Sequence, residues 1–223
     1  MIVQTTECGR FGHPEFRLVV DEAVVLDVDM QFARRMFEEW VASGSRFSDD
    51  QTVQLGWSLL KVRANSDQTI SLLEPDFVSR PINWVDSLTA SLRHLRLHKD
   101  TCESFFSPEQ LACPPLQLAC IVCSRFGAAT EIMMDRSEVE GQASGWFLGC
   151  REHHDHNDVN ELEKVSVYEA VLRNHCALPY LGLPAGTMVA TMPSAPTVFF
   201  QGERVPPRPG SFVARSFERS KRP

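Results

Sequence analysis

Residues 144–158 read Ser-Gly-Trp-Phe-Leu-Gly-Cys-Arg-Glu-His-His-Asp-His-Asn-Asp. Gly145 and Gly149 bracket three apolar residues, so we expect the backbone there to turn or to approach another chain segment closely. The apolar part is typical of a buried strand, and the polar run after it carries three histidines and three acids. A strand that ends in such a run is able to position a functional site. A solvated loop is the alternative interpretation.

The composition is that of an ordinary soluble protein. The chain has 223 residues, of which 43% are hydrophobic and 23% charged. This profile is typical of one large globular domain or two smaller ones. No apolar run approaches the roughly 18–20 residues of a transmembrane helix, and the first residues lack the basic and then apolar pattern of a secretory signal. We therefore expect a cytoplasmic protein that does not enter a membrane.

Acidic residues are concentrated in the middle of the chain. The formal net charge is −7, and residues 131–169 hold ten acids and three bases, which equals the whole net charge. Residues 204–222 carry six bases against one acid. An acidic segment repels nucleic acid and attracts basic proteins, so the sequence favours a protein partner over a nucleic-acid partner. A solvated face without a partner is the alternative.

The seven cysteines are an odd number, and without a secretory signal we expect reduced thiols. Cys120-Ile-Val-Cys123 has the spacing of a metal knuckle or redox motif. Its two middle residues favour an extended strand, however, which would point the two sulfurs to opposite faces. We therefore predict packing in a core, with zinc or redox chemistry as the alternative.

Hydrophobic periodicity predicts helices at about residues 30–43, 82–103 and 161–175. In the first of them the apolar stripe that contains Phe37 and Trp40 is interpreted as core packing. Alternating and β-branched segments between the helices predict strands. The sequence is therefore typical of an α+β protein with mixed or antiparallel sheets.

A proline-rich connection predicts the division of the chain. Pro108, Pro114 and Pro115 interrupt the periodic pattern, as at a boundary between domains. We predict two packed α+β halves, residues 1–112 and residues 113–223.

Three motifs of the second half resemble a known bacterial family. They are Ser-Gly-Trp-Phe-Leu-Gly at 144–149, Val-Ser-Val-Tyr-Glu at 165–169 and Leu-Gly-Leu-Pro-Ala-Gly-Thr at 181–187. With the acid-rich loop between the first two, they are similar to immunity-protein family thirty-three of polymorphic toxin systems, formerly a domain of unknown function. The resemblance covers about residues 116–191. The chain departs from the family at Ala143, where many relatives have Asp.

The resemblance implies a cytoplasmic antidote that binds a cognate toxin and blocks its active site or its assembly. The family has no assigned catalytic residues, so none is carried over to this chain, and we predict no cofactor. An acidic surface would fit a basic toxin. We expect the partner-binding residues to be Glu152, Asp155, Asp158 and Glu161, with Trp146 if it is exposed.

Two other functions compete with this one. The first is a metal-dependent hydrolase centred on residues 152–158, with His153, His154 and His156 as candidate ligands. Their order matches neither the His-Xaa-His-Xaa-Asp-His run of metallo-hydrolases nor the zinc-protease helix, so we predict no metal site. The second is a scaffold or regulatory module that binds another basic protein. We expect a binding protein rather than an enzyme.

Overall fold

The computed structural model describes residues 1–139, 141–152, 154–192 and 195–220. The chain divides into two compact units, Met1–Arg96 and Leu97–Pro223. Each unit combines helical segments with one mixed sheet, which confirms the predicted α+β class. The domain boundary that the prolines place near residue 112 stays a prediction.

The first unit is built on a mixed sheet and the helix α1 (Asp27–Ala42). Its strands are β1 (Ile2–Gln4), β2 (Phe16–Val19), β3 (Thr52–Leu55), β4 (Ser58–Ala64), β5 (Ile70–Pro75) and β6 (Trp84–Val85). The strand order is β1-β2-β5-β4-β3, and β6 pairs with β5. The pairing of β2 with β5 is parallel, and the other pairings are antiparallel.

The apolar stripe of α1 fills the core of the first unit. Ala33, Phe37 and Val41 are fully buried. The ring centroid of Phe37 lies 4.8 Å from that of Phe16 and 5.3 Å from that of Trp40. Aromatic pairs at these distances add to the free energy gained by burial. The interpretation of this stripe as core packing is confirmed.

The helix α2 (Thr89–Phe105) begins later than the predicted residue 82, because the preceding residues form β6 and pair with β5. The buried carboxylate of Glu74 accepts hydrogen bonds from the backbone N–H groups of Ala90 at 3.1 Å and Ser91 at 2.6 Å. These N–H groups have no acceptor within the helix. The start of α2 therefore depends on a residue that is distant in the sequence.

The second unit holds a mixed sheet and the helices α3 (Val167–Arg173) and α4 (Phe212–Ser220). Its strands are β7 (Ala119–Cys123), β8 (Ile132–Arg136), β9 (Ala143–Cys150), β10 (Leu162–Ser166), β11 (Thr187–Ala190), β12 (Thr197–Phe200) and β13 (Glu203–Val205). The strand order is β10-β7-β9-β8-β11-β12-β13. Only β7 and β9 pair in parallel among these described strands. No helix in the described part of the chain is long and apolar enough to cross a membrane.

The helix predicted at residues 161–175 is wrong in its first part. Residues Leu162–Ser166 form β10, which pairs with β7 along its whole length. The helix α3 begins at Val167, and the hydroxyl of Ser166 accepts a hydrogen bond from the N–H of Glu169 at 3.1 Å. Backbone hydrogen bonds to the neighbouring strand β7 determine the conformation of residues 162–166. Hydrophobic periodicity carries no information about such pairing.

Acid sensitivity is expected from the fully buried His98. Its Nε2 lies 2.8 Å from the carbonyl oxygen of Leu178. Burial lowers the pKa of His98 from 6.5 to about 4, against the opposing effect of that hydrogen bond. The unfolded chain therefore binds a proton at a higher pH than the folded chain does. Stability should fall as the pH drops through this window, by about 3 kcal/mol in all.

Urea unfolding of the wild type and of His98→Gln, at about pH 7 and about pH 4, isolates this contribution from that of the carboxylates. The variant should lose less stability on acidification than the wild type, by about 3 kcal/mol. The exposed His175 offers a matched control, and His175→Gln should respond as the wild type does. An equal loss in all three proteins would show that His98 does not carry the effect.

Candidate functional site

The sheet of the second unit brings two loops to one edge. The strands β7 and β9 are adjacent and parallel, so both end at this edge. The antiparallel strands β8 and β10 begin there, with Ile132 opposite Cys150 and Leu162 opposite Cys123. The loop of residues 151–161, which we call the acidic loop, therefore starts and ends on strands of the same sheet edge.

Four side chains with metal-binding atoms converge at this edge: Cys123, Cys150, His154 and His156. One sulfur or ring nitrogen from each lies within 4.8 Å of all the others. The Sγ of Cys150 is 3.2 Å from Nε2 of His154 and 3.8 Å from Nε2 of His156. The backbone N–H of Cys150 donates to the Sγ of Cys123 at 3.3 Å. We call these four residues the Cys-His cluster.

Burial governs the electrostatics of the Cys-His cluster. Both cysteines are buried and both histidines are half-buried. Burial raises the pKa of the Cys150 thiol. Burial lowers the pKa of His156, and the neighbouring His154 lowers it further. The Nδ1 atom of His154 is buried and has no hydrogen-bond partner among the described residues. These surroundings favour a neutral Cys150 thiol and a neutral His156 imidazole.

The two glycines of β9 have the structural role that the sequence predicts. Gly145 has a φ of 81°, and a Cβ there would lie 2.2 Å from the carbonyl oxygen of Ser137. A Cβ on Gly149 would lie 3.2 Å from Nε2 of His156 and 3.0 Å from the ring of Phe147. Gly145 therefore permits a close backbone approach, and Gly149 leaves the space that the His156 ring occupies.

Trp146 lies in the core, so the condition for its expected role in partner binding, that it be exposed, is not met. The side chain is 2% exposed, and its indole Nε1 donates to the carbonyl oxygen of Leu181 at 3.2 Å. The guanidinium of Arg136 lies 5.5 Å from the ring centroid and donates to the carbonyl oxygen of Leu183. The Ser-Gly-Trp and Leu-Gly-Leu-Pro motifs are thus joined in space by a buried hydrogen bond, and the Trp146 side chain is covered by other residues.

The four predicted partner-binding acids all lie on the acidic loop. Glu152 is exposed and pairs with Arg125 at 3.3 Å. Asp155 accepts a hydrogen bond from the N–H of the second residue after it at 2.8 Å, and Asp158 does the same at 3.0 Å. Glu161 is half-buried and accepts from the hydroxyl of Ser124. The aspartates therefore shape the loop as well as giving it charge.

Two shallow cavities adjoin the base of the acidic loop, and both are lined by Thr130 and Glu131. One has a volume of about 160 Å³ and is also lined by Arg151 and Glu152. The other has a volume of about 460 Å³, and its remaining lining residues are Cys176, Pro179, Tyr180, Thr191 and Met192. A surface with mixed polar and apolar lining therefore continues from the loop along the sheet edge.

Part of this site is visible in the sequence. The histidine-rich run points to His154 and His156 but not to their connection with the two cysteines, because Cys123 is far away in the sequence and reaches the cluster only through the pairing of β7 with β9. The third candidate ligand, His153, lies outside the described residues. Adjacent parallel strands that each end in a cysteine are the signal that could have identified the cluster.

Comparison with known proteins identifies one part of the chain. Residues 97–201, which include β7 to β11 and the acidic loop, match the family model described as the Imm33-like domain. No curated protein and no solved structure matches the chain. The match agrees with the resemblance drawn from the three motifs. Residues 97–201 of this chain are therefore similar to the Imm33-like domain.

Proposed function

We propose that this chain is an immunity protein, which binds a cognate bacterial toxin and thereby neutralises it. The observation that carries the proposal is the match of residues 97–201 to the Imm33-like domain. An immunity-family domain implies a protein partner, and experiment has to identify the toxin. Neutralisation requires only that the partner's functional surface be covered.

We propose the acidic loop and the adjoining cavities as the toxin-binding surface. The loop presents Glu152, Asp155, Asp158 and Glu161, and Val159 beside them is 77% exposed. Met192, in the lining of the larger cavity, is 40% exposed. Apolar contact area with charge around it is typical of protein interfaces. The charge of this surface is complementary to a basic toxin, such as one that binds a phosphate backbone.

Co-expression with the neighbouring gene tests the function. The probe is the product of the adjacent reading frame that carries a toxin delivery domain. The full chain should restore growth of cells that make this toxin, and the two proteins should purify together as a stable complex. A toxin that kills equally well in the presence of the folded chain, and that forms no complex with it, would refute the proposal.

Removing the charge of the loop should slow the association with the toxin. In the variant Glu152→Gln, Asp155→Asn, Asp158→Asn and Glu161→Gln, the side chains keep an oxygen that accepts the hydrogen bonds of the loop. We expect the association rate constant at low salt to fall about tenfold or more, because electrostatic steering is lost. The dissociation rate constant should change less. Stopped-flow mixing of the two purified proteins measures both constants.

Four exposed glutamates elsewhere offer a control with the same change of net charge: Glu22, Glu39, Glu203 and Glu218. Replacing all four with Gln should leave the association rate within about twofold of the wild type, if the local field of the loop steers the encounter. Equal slowing in both variants would assign the effect to net charge. An unchanged rate in the loop variant would exclude the loop from the binding surface.

A further inference from the structure

We propose that Cys123, Cys150, His154 and His156 bind a zinc ion. These residues come from the ends of two strands and from the loop that follows the second strand. Proximity in the sequence explains at most why Cys150, His154 and His156 lie close together. Cys123 is brought to them by the parallel pairing of β7 with β9. The proposal is independent of toxin binding.

The distances within the Cys-His cluster suit a tetrahedral ion. Zinc lies about 2.3 Å from a thiolate sulfur and about 2.0 Å from an imidazole nitrogen, so the ligand atoms of one tetrahedron are about 3.3–3.8 Å apart. The Sγ of Cys150 lies 3.2 Å and 3.8 Å from the Nε2 atoms of His154 and His156. All four ligand atoms lie within 4.8 Å of one another. Small movements of half-buried side chains therefore complete the coordination.

The donor atoms select the kind of metal. Two sulfurs and two imidazole nitrogens suit zinc, whereas magnesium and calcium bind oxygen ligands. Binding converts both thiols to thiolates and releases their two protons. The two negative charges then balance the double charge of the ion, so the acidic loop keeps its net negative charge.

The packing of the two histidines gives a second reason to infer a metal. The ring centroid of His154 lies 4.1 Å from that of His156. The Nε2 atoms of both rings lie beside the Sγ of Cys150. A metal ion bound at these atoms explains why two imidazoles are packed together beside two thiols.

The site has a structural role in this proposal. Four protein ligands close the tetrahedron, as in structural zinc sites, whereas catalytic sites keep a position for water or substrate. The ion ties the acidic loop to the ends of β7 and β9 through His154 and His156. It thereby fixes Asp155, which lies between the two histidines. A closed site of this kind also argues against a hydrolase centred on residues 152–158.

Metal analysis of the purified full chain tests the proposal. The wild type should contain about one zinc ion per chain, which elemental mass spectrometry measures, and cobalt in its place should give the visible absorption of a tetrahedral thiolate site. Cys123→Ser and His156→Asn should each lower the zinc content by about tenfold or more. The matched control is Cys176→Ser with His175→Asn, which removes an exposed cysteine and an exposed histidine and should keep the zinc.

Several outcomes would overturn the proposal. Wild type that takes up neither zinc nor cobalt has no such site. Full zinc content in folded Cys123→Ser would assign the binding to the histidine-bearing loop alone, as an adventitious ion. If that variant does not fold, X-ray absorption of the wild type decides. Two sulfurs at about 2.3 Å and two nitrogens at about 2.0 Å support the proposal. A shell without sulfur, or a disulfide between Cys123 and Cys150 in fresh protein, contradicts it.

Discussion

Trp146→Ala should lower the free energy of unfolding of the second unit by about 3–5 kcal/mol. The indole is almost completely buried, and its Nε1 donates to the carbonyl oxygen of Leu181. Truncation leaves a cavity, an unpaired carbonyl and an Arg136 guanidinium without its aromatic neighbour. Urea unfolding followed by circular dichroism measures the loss, and hydrogen exchange in β8 and β9 locates it.

Two further variants separate packing from exposure. Trp146→Phe keeps most of the buried volume but removes the indole donor, so its cost should be smaller than that of Trp146→Ala. Val159→Ala truncates a side chain that is 77% exposed and should change stability by less than about 0.5 kcal/mol. A loss below about 1 kcal/mol for Trp146→Ala would mean that the indole lies at a surface, as a partner-binding role would require.

Glu74→Ala should destabilise the first unit by about 3 kcal/mol, because it leaves one buried and one partly buried N–H group at the start of α2 without an acceptor. Glu74 is 2% exposed, and its two carboxylate oxygens accept hydrogen bonds from the backbone N–H groups of Ala90 and Ser91. A carboxylate at this position also interacts favourably with the helix dipole. Thermal and urea unfolding measure the change.

Glu74→Gln is the matched control, because it keeps the shape and one oxygen acceptor while removing the charge. Glu74→Gln should lower the free energy of unfolding by less than Glu74→Ala does. Some loss remains, because one N–H group loses its acceptor and the interaction of the charge with the helix dipole is removed. The exposed Glu22→Gln should be neutral. Equal stability of the wild type and Glu74→Ala would show that water or another group satisfies the start of the helix.

Local patterns predicted the elements whose environment is local. The helical stripe around Phe37 placed α1 within a few residues of Asp27–Ala42, because burial at every third or fourth position is visible in the sequence. The positive φ of Gly145 and its close approach to Ser137 likewise fit an expectation based on one residue type. The three motifs also pointed to the family that residues 97–201 match.

Contacts between distant residues account for what the sequence did not reveal. The start of α2 depends on Glu74, and the identity of β10 depends on its pairing with β7. The Cys-His cluster needs Cys123, which is remote from the histidines in the sequence and adjacent in the sheet. The sequence left the exposure of Trp146 open, because exposure depends on which strands cover a residue. The arginine and the carbonyl that contact its ring come from β8 and from Leu181.

Binding of the toxin, without chemical change to it, is the central claim. The most direct test titrates the purified toxin of the adjacent reading frame with the purified full chain while the toxin's activity is recorded. The account predicts that inhibition rises in proportion to added protein and is complete at a fixed stoichiometric ratio, with active toxin recovered when the complex is dissociated. Inactivation of excess toxin by substoichiometric protein, continuing with time and lost in His154→Asn, would contradict the account, because that is the behaviour of an enzyme.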